Sequence, residues 1–310
     1  MILGLVIPCY NEQDVLLETT RQLCAVFDTL ISKEKISPDS RMYFVDDGSR
    51  DRTWQLIVEE SVRSPYVKGI KLSRNRGHQN ALLAGLFSAA GEAIISLDAD
   101  LQDDLGAIEQ MVDAYHAGNQ VVYGVRNSRG TDTIFKRLTA RTFYRVMSFL
   151  GTETVYDHAD YRLLGRTAIE SLAQFREVNM FLRGLVPLLG FNTTTVHYDR
   201  KERFAGESKY PLRKMLLFAI EGITSFSTVP LRMITLLGIF VALGTMVMSV
   251  WTITIKLLND ATIPGWASTV LPTYFLGGVQ LFSLGVLGEY LGKIYLEVKG
   301  RPRFIVEETC

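Results

Sequence analysis

Asp98-Ala99-Asp100-Leu101-Gln102 follows the apolar run Ala93-Ile94-Ile95-Ser96-Leu97. Two carboxylates one residue apart at the exit of a strand can share a hard divalent cation. Mg2+ in such sites is held by one or two carboxylates together with substrate phosphate oxygens. At a strand's carboxyl end in an α/β sheet, the pair also stands where ligands bind. An acidic turn ahead of a helix starting after Asp103 would carry the same letters, so the pair needs company. Two other strand exits supply it. Pro8-Cys9-Tyr10-Asn11-Glu12 closes the apolar run 2–7, and Asp46-Asp47-Gly48-Ser49 closes the run 42–45.

The elements that must position these clusters alternate. Strands are expected at 2–7, 42–45, 67–72, 93–97 and 120–125, with helices at 11–30, 53–61 and 80–90 between them. Asp51 is placed to cap the second helix. Strands separated by helices imply an α/β fold with a mostly parallel sheet and helices on both faces. No Gly-x-Gly-x-x-Gly follows the first strand and no Gly-x-x-x-x-Gly-Lys-Ser/Thr occurs, which leaves dinucleotide and P-loop readings without support.

Composition narrows the classes further. At 310 residues, 47% hydrophobic, the chain can bury a large core and suggests about two domains. With 33 basic and 33 acidic residues, nothing global points to nucleic acid as a partner. Cys9, Cys24 and Cys310 show neither metal-ligand spacing nor a disulfide framework, as expected of a reducing compartment. The first eight residues lack a basic region followed by a long apolar stretch, so a cleaved signal peptide is not expected.

Apolar residues gather toward the C-terminal end. Residues 233–255 and 270–288 carry no charge, and each run is long enough to cross a hydrocarbon core as a helix. A short polar segment with Asn259, Asp260, Pro264 and Gly265 joins them, so the pair reads as a transmembrane hairpin with both ends on one side of a bilayer. Arg232 precedes the first run and Lys293, Lys299, Arg301 and Arg303 follow the second, while the connection offers only Lys256. The positive-inside rule places residues 1–232 and the tail in the cytosol. Trp251 and Trp266 fall near the far interface. The expected divisions are a catalytic domain at 1–210, an interfacial amphipathic segment at 211–232, the hairpin at 233–293 and a cytosolic tail at 294–310. A second stretch, 136–150, also has apolar residues at helical spacing beside Arg141 and Arg145.

Pro8-x-Tyr10-Asn11-Glu12, Val45-Asp46-Asp47-Gly48-Ser49 and Asp98-Ala99-Asp100, in this order and spacing, resemble the family 2 glycosyltransferases with their GT-A fold. Over essentially the whole chain, further segments resemble the polyprenyl-phosphate branch, which includes dolichol-phosphate mannose synthases and bactoprenol glucosyltransferases. They are Leu72-Ser73-Arg74-Asn75-x-Gly77-His78, Asp98 through Asp103, Asp160-Tyr161-Arg162-Leu163 and Glu221-Gly222-Ile223-Thr224-Ser225-Phe226-Ser227. The hairpin is similar to that of the bactoprenol enzymes. Two positions depart from the pattern: His78 stands where many relatives have Lys, and Tyr161 where many have Phe.

The resemblance implies roles. Asp47 would contact the nucleotide base, with Pro8, Tyr10 and Glu12 shaping the same pocket. Asp98 and Asp100, with Gln102 nearby, would hold Mg2+ or Mn2+ on the diphosphate. Arg203, Ser208 and Lys209 resemble an acceptor-loop motif and, with Arg126, would bind the acceptor phosphate; Arg129 is balanced between that role and a solvated surface. Asp160 occupies a position commonly assigned as a base. A phosphate monoester with a second pKa near 6 is largely dianionic at pH 7 and scarcely needs one, so Asp160 is expected to position Arg162, the metal or the sugar.

The implied reaction is inverting transfer of one sugar, glucose favoured, from a nucleoside diphosphate such as UDP-glucose to undecaprenyl phosphate or another polyprenyl phosphate. It would take place at the cytosolic face of the cytoplasmic membrane. Mannose, N-acetylglucosamine and aminoarabinose donors stay open, as does a homo-oligomer. A processive polysaccharide synthase should show Gln-x-x-Arg-Trp, which neither Gln174 nor Gln280 begins. A non-catalytic membrane scaffold or nucleotide sensor is the remaining rival.

Overall fold

In the computed structural model, the residues described are 1–127, 158–177, 182–199, 229–259 and 265–310. They form two compact units. Residues 1–127, 158–177, 182–199 and 301–310 belong to the first, and 229–259 and 265–300 to the second.

The first unit is built on β1 (Leu3–Cys9), α1 (Leu16–Ser32), β2 (Arg41–Asp46), α2 (Thr53–Arg63), β3 (Val67–Leu72), α3 (His78–Ser88) and β4 (Ala93–Ser96). The chain continues through α4 (Ala107–His116), β5 (Val121–Arg126), β6 (His158–Gly165), α5 (Arg166–Ala173), α6 (Leu182–Leu188) and β7 (Thr193–Tyr198). After the second unit's α7 (Val229–Asn259) and α8 (Trp266–Lys299), it returns as β8 (Val306–Thr309). The strands make one eight-stranded sheet in the order β7-β5-β6-β4-β1-β2-β3-β8.

All seven residues of β1 are buried, as a central strand covered on both faces requires. Alternation decides what each face meets. Leu3, Leu5 and Ile7 join the cluster containing Leu23 and Phe27 of α1 and Met111 of α4. Val6 points the other way, toward α3. A Cβ on Gly85 would stand 2.2 Å from Val6 Cγ1, so α3 lies close on the sheet only because residue 85 has no side chain. Helices therefore cover both faces, as expected.

The five strands read from the sequence are present, with ends shifted by one or two residues. The sheet is mostly parallel, as expected, with two antiparallel members: β6 between β4 and β5, and β8 along β3. β6, β7 and β8 also lie outside the five expected strands. The first helix opens at Leu16 instead of residue 11, because Asn11 takes a left-handed φ of 57° and residues 10–15 form the strand exit itself. Asp51 does serve the start of α2, its Oδ1 accepting from Thr53 N–H at 3.0 Å. Arg301–Cys310, read as part of a tail, belong to the first unit, where β8 closes one sheet edge.

In the second unit, α7 and α8 touch. Val229–Met248 and Phe275–Lys299 are long and apolar enough to cross a membrane. Their apolar side chains are not packed away: Phe240 is 70% exposed and Leu281 73%. So large an apolar surface calls for a non-aqueous neighbour. Gly300, in the left-handed region at φ 55°, ends α8.

Candidate active site

Strand order locates the site. β2 and β3 follow on one side of β1, and β4 then returns to the other, with Val6 opposite Ser96. The crevice at the carboxyl ends of β1 and β4 is the topological switch point where α/β sheets bind ligands. Pro8–Glu12 and Asp98–Asp100 leave the sheet side by side there.

The β2 exit joins them through Cys9, which is registered with Asp46. Asp47 carries a buried carboxylate that accepts from Arg76 N–H at 2.7 Å and Gly77 N–H at 2.8 Å. Burial raises its pKa, and those two backbone bonds pull against the rise. Asn11 ties the first exit to the second: its N–H donates to Ser49 Oγ and its Oδ1 accepts from Arg50 N–H. Glu12 N–H donates to Thr53 Oγ1. Tyr10 is exposed at the rim. Pro8, Tyr10, Glu12 and Asp47 are thus brought to one place.

Antiparallel β6 adds what the parallel strands lack. Ser96 is registered with Arg162, so continuing that register two residues brings Asp160 level with Asp98. His78 lies between them, its Nε2 3.6 Å from a carboxylate oxygen of each. Asp160 Oδ1 accepts from Arg162 Nη2 at 2.6 Å and from Arg183 Nε at 3.3 Å, while its Oδ2 accepts from Arg183 Nη2 at 3.3 Å and Gln79 Nε2 at 3.5 Å. Ser96 Oγ donates to the Asp160 carbonyl at 2.5 Å.

Environment separates the two aspartates. Burial would raise Asp160, but the contact with His78 and the charges of Arg162 and Arg183 hold it well below the usual carboxylate range. Asp98 is pushed up to about 6 by its recessed position, against the pull of His78 and with the charges of Asp103, Asp160 and Asp100 adding to the rise. Its side chain is still 43% exposed, so the carboxyl is crowded yet open to the cleft. Burial disfavours charge on His78, but its contact with Asp160 and the charge of Asp98 outweigh that and raise its pKa. At position 78, one of the two departures from the resembled pattern, two carboxylates favour the charged form.

The Asp98–Asp100 turn has a fixed local geometry. Leu101 takes a left-handed φ of 55°, uncommon for a β-capable side chain, and Gln102 N–H bonds Asp100 Oδ1 at 3.2 Å. Gln102 is itself buried. Among the described residues, no three acidic, His or Cys side chains gather closely enough to cage an ion by themselves. A pair of carboxylates joined by substrate phosphate oxygens is a donor set that suits Mg2+ or Mn2+, and a cation would offset the burial that raises Asp98.

Arg126 does not stand alone at the β5 exit. Its Nη2 donates to Asp103 Oδ1 at 3.4 Å and its Nε to Tyr198 Oη at 3.2 Å, while the Tyr198 hydroxyl donates to Asp103 at 2.6 Å. Arg203, Ser208 and Lys209 lie outside the described residues, as do Arg129, the stretch 136–150 and most of 211–232. Sequence reasoning missed Gln79, Arg183 and Tyr198, which no motif marks because their place depends on how β6, β7 and α6 meet β4, and it gave Asp103 no role beyond ending a motif segment.

The profile of glycosyl transferase family 2 matches residues 5–173. The uncharacterized glycosyltransferase YkoT of Bacillus subtilis (strain 168) is 51% identical over 308 residues, covering 99% of this chain and 91% of that protein. The SfII prophage-derived bactoprenol glucosyl transferase of Shigella flexneri is 37% identical over 311 residues, covering 100% and 98%. The prophage bactoprenol glucosyl transferase homolog of Escherichia coli (strain K12) is 36% identical over 313 residues, covering 100% and 99%. With three strand-exit motifs meeting at one switch point and relatives matched from end to end, the chain belongs to glycosyl transferase family 2.

Proposed function

We propose that this protein transfers one sugar, glucose favoured, from a nucleoside diphosphate to a polyprenyl phosphate at the cytosolic face of a membrane. The observation that carries the reading is the continuous row Asp98–His78–Asp160–Arg183 beside the Asp47 pocket. It lines up the Asp98 carboxylate, an imidazole whose protonation two carboxylates favour, and a guanidinium-held carboxylate. Relatives named bactoprenol glucosyl transferases support both the sugar and the acceptor.

Asp47 and the residues around it, Pro8, Tyr10 and Glu12, would take the nucleotide. Asp98 and Asp100, with Gln102 beside them, would hold Mg2+ or Mn2+. When bound, the cation would neutralise charge developing on the leaving diphosphate. His78 is placed to add positive charge next to that group. Asp160 orients His78, Arg162 and Arg183 and accepts no proton, since the acceptor phosphate is already a dianion near neutrality. Arg126, with Arg203, Ser208 and Lys209, is assigned to the acceptor phosphate.

The two apolar helices fit an acceptor whose tail stays in the bilayer. Holding the enzyme on the same surface raises the effective concentration of the lipid phosphate. Pairing of β8 with β3 supports a cytosolic return of the chain after α8, since residues flanking the helix pair share one folded unit.

The test is a donor screen. Detergent-solubilised full-length protein receives undecaprenyl phosphate, Mn2+ and radiolabelled UDP-glucose, UDP-N-acetylglucosamine or GDP-mannose. Label from UDP-glucose should enter the lipid extract. Label from another donor alone would correct the sugar, and none from any would refute the transfer.

A further inference from the structure

Arg162 and Arg183 both meet the Asp160 carboxylate, but they meet it differently. Arg162 is 1% exposed and sits at 2.6 Å. Its Nη1 also donates to the Leu182 carbonyl at 3.3 Å, which locks it into the protein. Arg183 is 34% exposed, and both its contacts are 3.3 Å. A charge-assisted N–H···O bond at full strength is nearer 2.7–2.9 Å. Arg162 is the close partner of the Asp160 carboxylate, and Arg183 meets that carboxylate at longer range from a partly exposed position.

The start of α6 is anchored so that Arg183 presents this surface. Leu182 N–H donates to Gln79 Oε1 at 3.4 Å, and the same Gln79 side chain donates to Asp160 Oδ2. Gln79 Nε2, His78 Nε2 and Arg183 Nη2 all lie within 3.6 Å of that one oxygen. Three groups converging on one oxygen form a cradle for an anionic oxygen, and the His78 and Arg183 side chains are partly open. Asp98 stands at the other end of the row, beyond His78.

We propose that Arg183, with His78 beside it, receives the phosphate monoester of the acceptor, exchanging its loose contact with Asp160 for the incoming dianion. The inference rests on the transfer reading above and adds a residue to its acceptor side. Displacement with inversion needs the attacking oxygen and the leaving diphosphate on opposite sides of the reacting carbon. The diphosphate belongs at the Asp98 end of the row, so the attacking phosphate belongs at the Arg183 end. A guanidinium suits the task, because its planar fork can hold two phosphate oxygens at once. Asp160 stays neutralised by Arg162 throughout, so the exchange leaves no bare buried carboxylate.

The test is equilibrium binding to full-length protein in detergent, which needs no turnover. Farnesyl phosphate, farnesol, inorganic phosphate and UDP with Mn2+ are titrated into wild type, Arg183→Gln and Arg183→Lys. Wild type should bind farnesyl phosphate better than farnesol or inorganic phosphate. Arg183→Gln should lose at least about tenfold in farnesyl phosphate affinity, the loss of a charged hydrogen bond. Its UDP affinity should match wild type, which also certifies the fold, and Arg183→Lys should recover part of the loss. Wild-type affinity for farnesyl phosphate in Arg183→Gln, or an equal loss of UDP, would overturn the role of Arg183 alone. Failure of wild type itself to prefer farnesyl phosphate over farnesol would overturn the acceptor reading and this role with it.

Discussion

Asp160 and Arg162 stand two residues apart on β6, share a face of the strand, and close a 2.6 Å ion pair with Arg162 almost wholly buried. The pair is the floor on which His78 and Arg183 rest. Its geometry argues that Asp160 is an organiser of charge, because a carboxylate held between two guanidinium groups and an imidazole is a poor proton acceptor near neutral pH.

Asp160→Asn should therefore lower transfer strongly, with no recovery at high pH. Losing the charge strands Arg162 in the interior, at a cost of about 3–5 kcal/mol. The measurement is the pH profile of kcat/KM for both proteins at a temperature where the variant stays folded. Loss of Asp160 withdraws support for the charged His78, so any shift of the variant's profile should be toward lower pH; selective recovery at high pH would mark Asp160 as a base. Stability gives the companion sign. The folded-state pKa of Asp160 is depressed below the unfolded value near 3.9. Its contribution is thus complete above that value and lost as pH falls through the folded pKa, so acid unfolding of wild type should be steeper than that of Asp160→Asn.

Gly48→Ala should damage the nucleotide pocket without touching a ligand. Gly48 has φ +68°, and a Cβ there would lie 2.6 Å from Asn75 N and 2.7 Å from the Arg74 carbonyl carbon. The neighbours are backbone and cannot swing aside. The strain of about 1–3 kcal/mol falls on the loop whose Arg76 and Gly77 N–H groups hold Asp47. Weaker UDP binding and a lower Tm are expected, and unchanged UDP binding would separate that loop from the nucleotide.

How much of this was legible in the sequence depends on the range of the contacts. The parallel strands were readable because burial on both faces makes continuous apolar runs such as Leu3–Cys9. Their exits were readable because Asp47, Asp98 and Asp100 follow those runs directly. β6 was not, since its apolar residues share a short stretch with Asp160 and Arg162, whose burial depends on pairing with each other. β7 buries only Val196 and Tyr198 among its six residues, and β8 is exposed throughout, so neither carries a strong apolar signal. Arg183 sits in no quoted motif, and Asp103 only ends one; both owe their roles to contacts, 23 and 95 residues away in sequence, that a local pattern does not record.

Asp103 offers a test of one such contact. Asp103→Ala would leave the Tyr198 hydroxyl and Arg126 without their shared acceptor, costing about 1–3 kcal/mol, and should loosen the turn that carries Asp98 and Asp100. Asp103→Asn keeps an oxygen for Tyr198 and should lose much less. Thermal unfolding and the Mn2+ concentration for half-maximal activity check both. Equal effects of the two substitutions would show that the negative charge, and not the acceptor geometry, matters.

The central claim is that Asp98 and Asp100 hold the cation through which a sugar nucleotide is presented to a lipid phosphate. Its most direct test is Mn2+-dependent transfer of labelled glucose from UDP-glucose to undecaprenyl phosphate by wild type and Asp100→Ala, each with and without a chelator. Lipid-extractable label from wild type, abolished by chelation and absent with Asp100→Ala, is the predicted result. Transfer that survives chelation, or that Asp100→Ala performs as wild type does, would contradict the account.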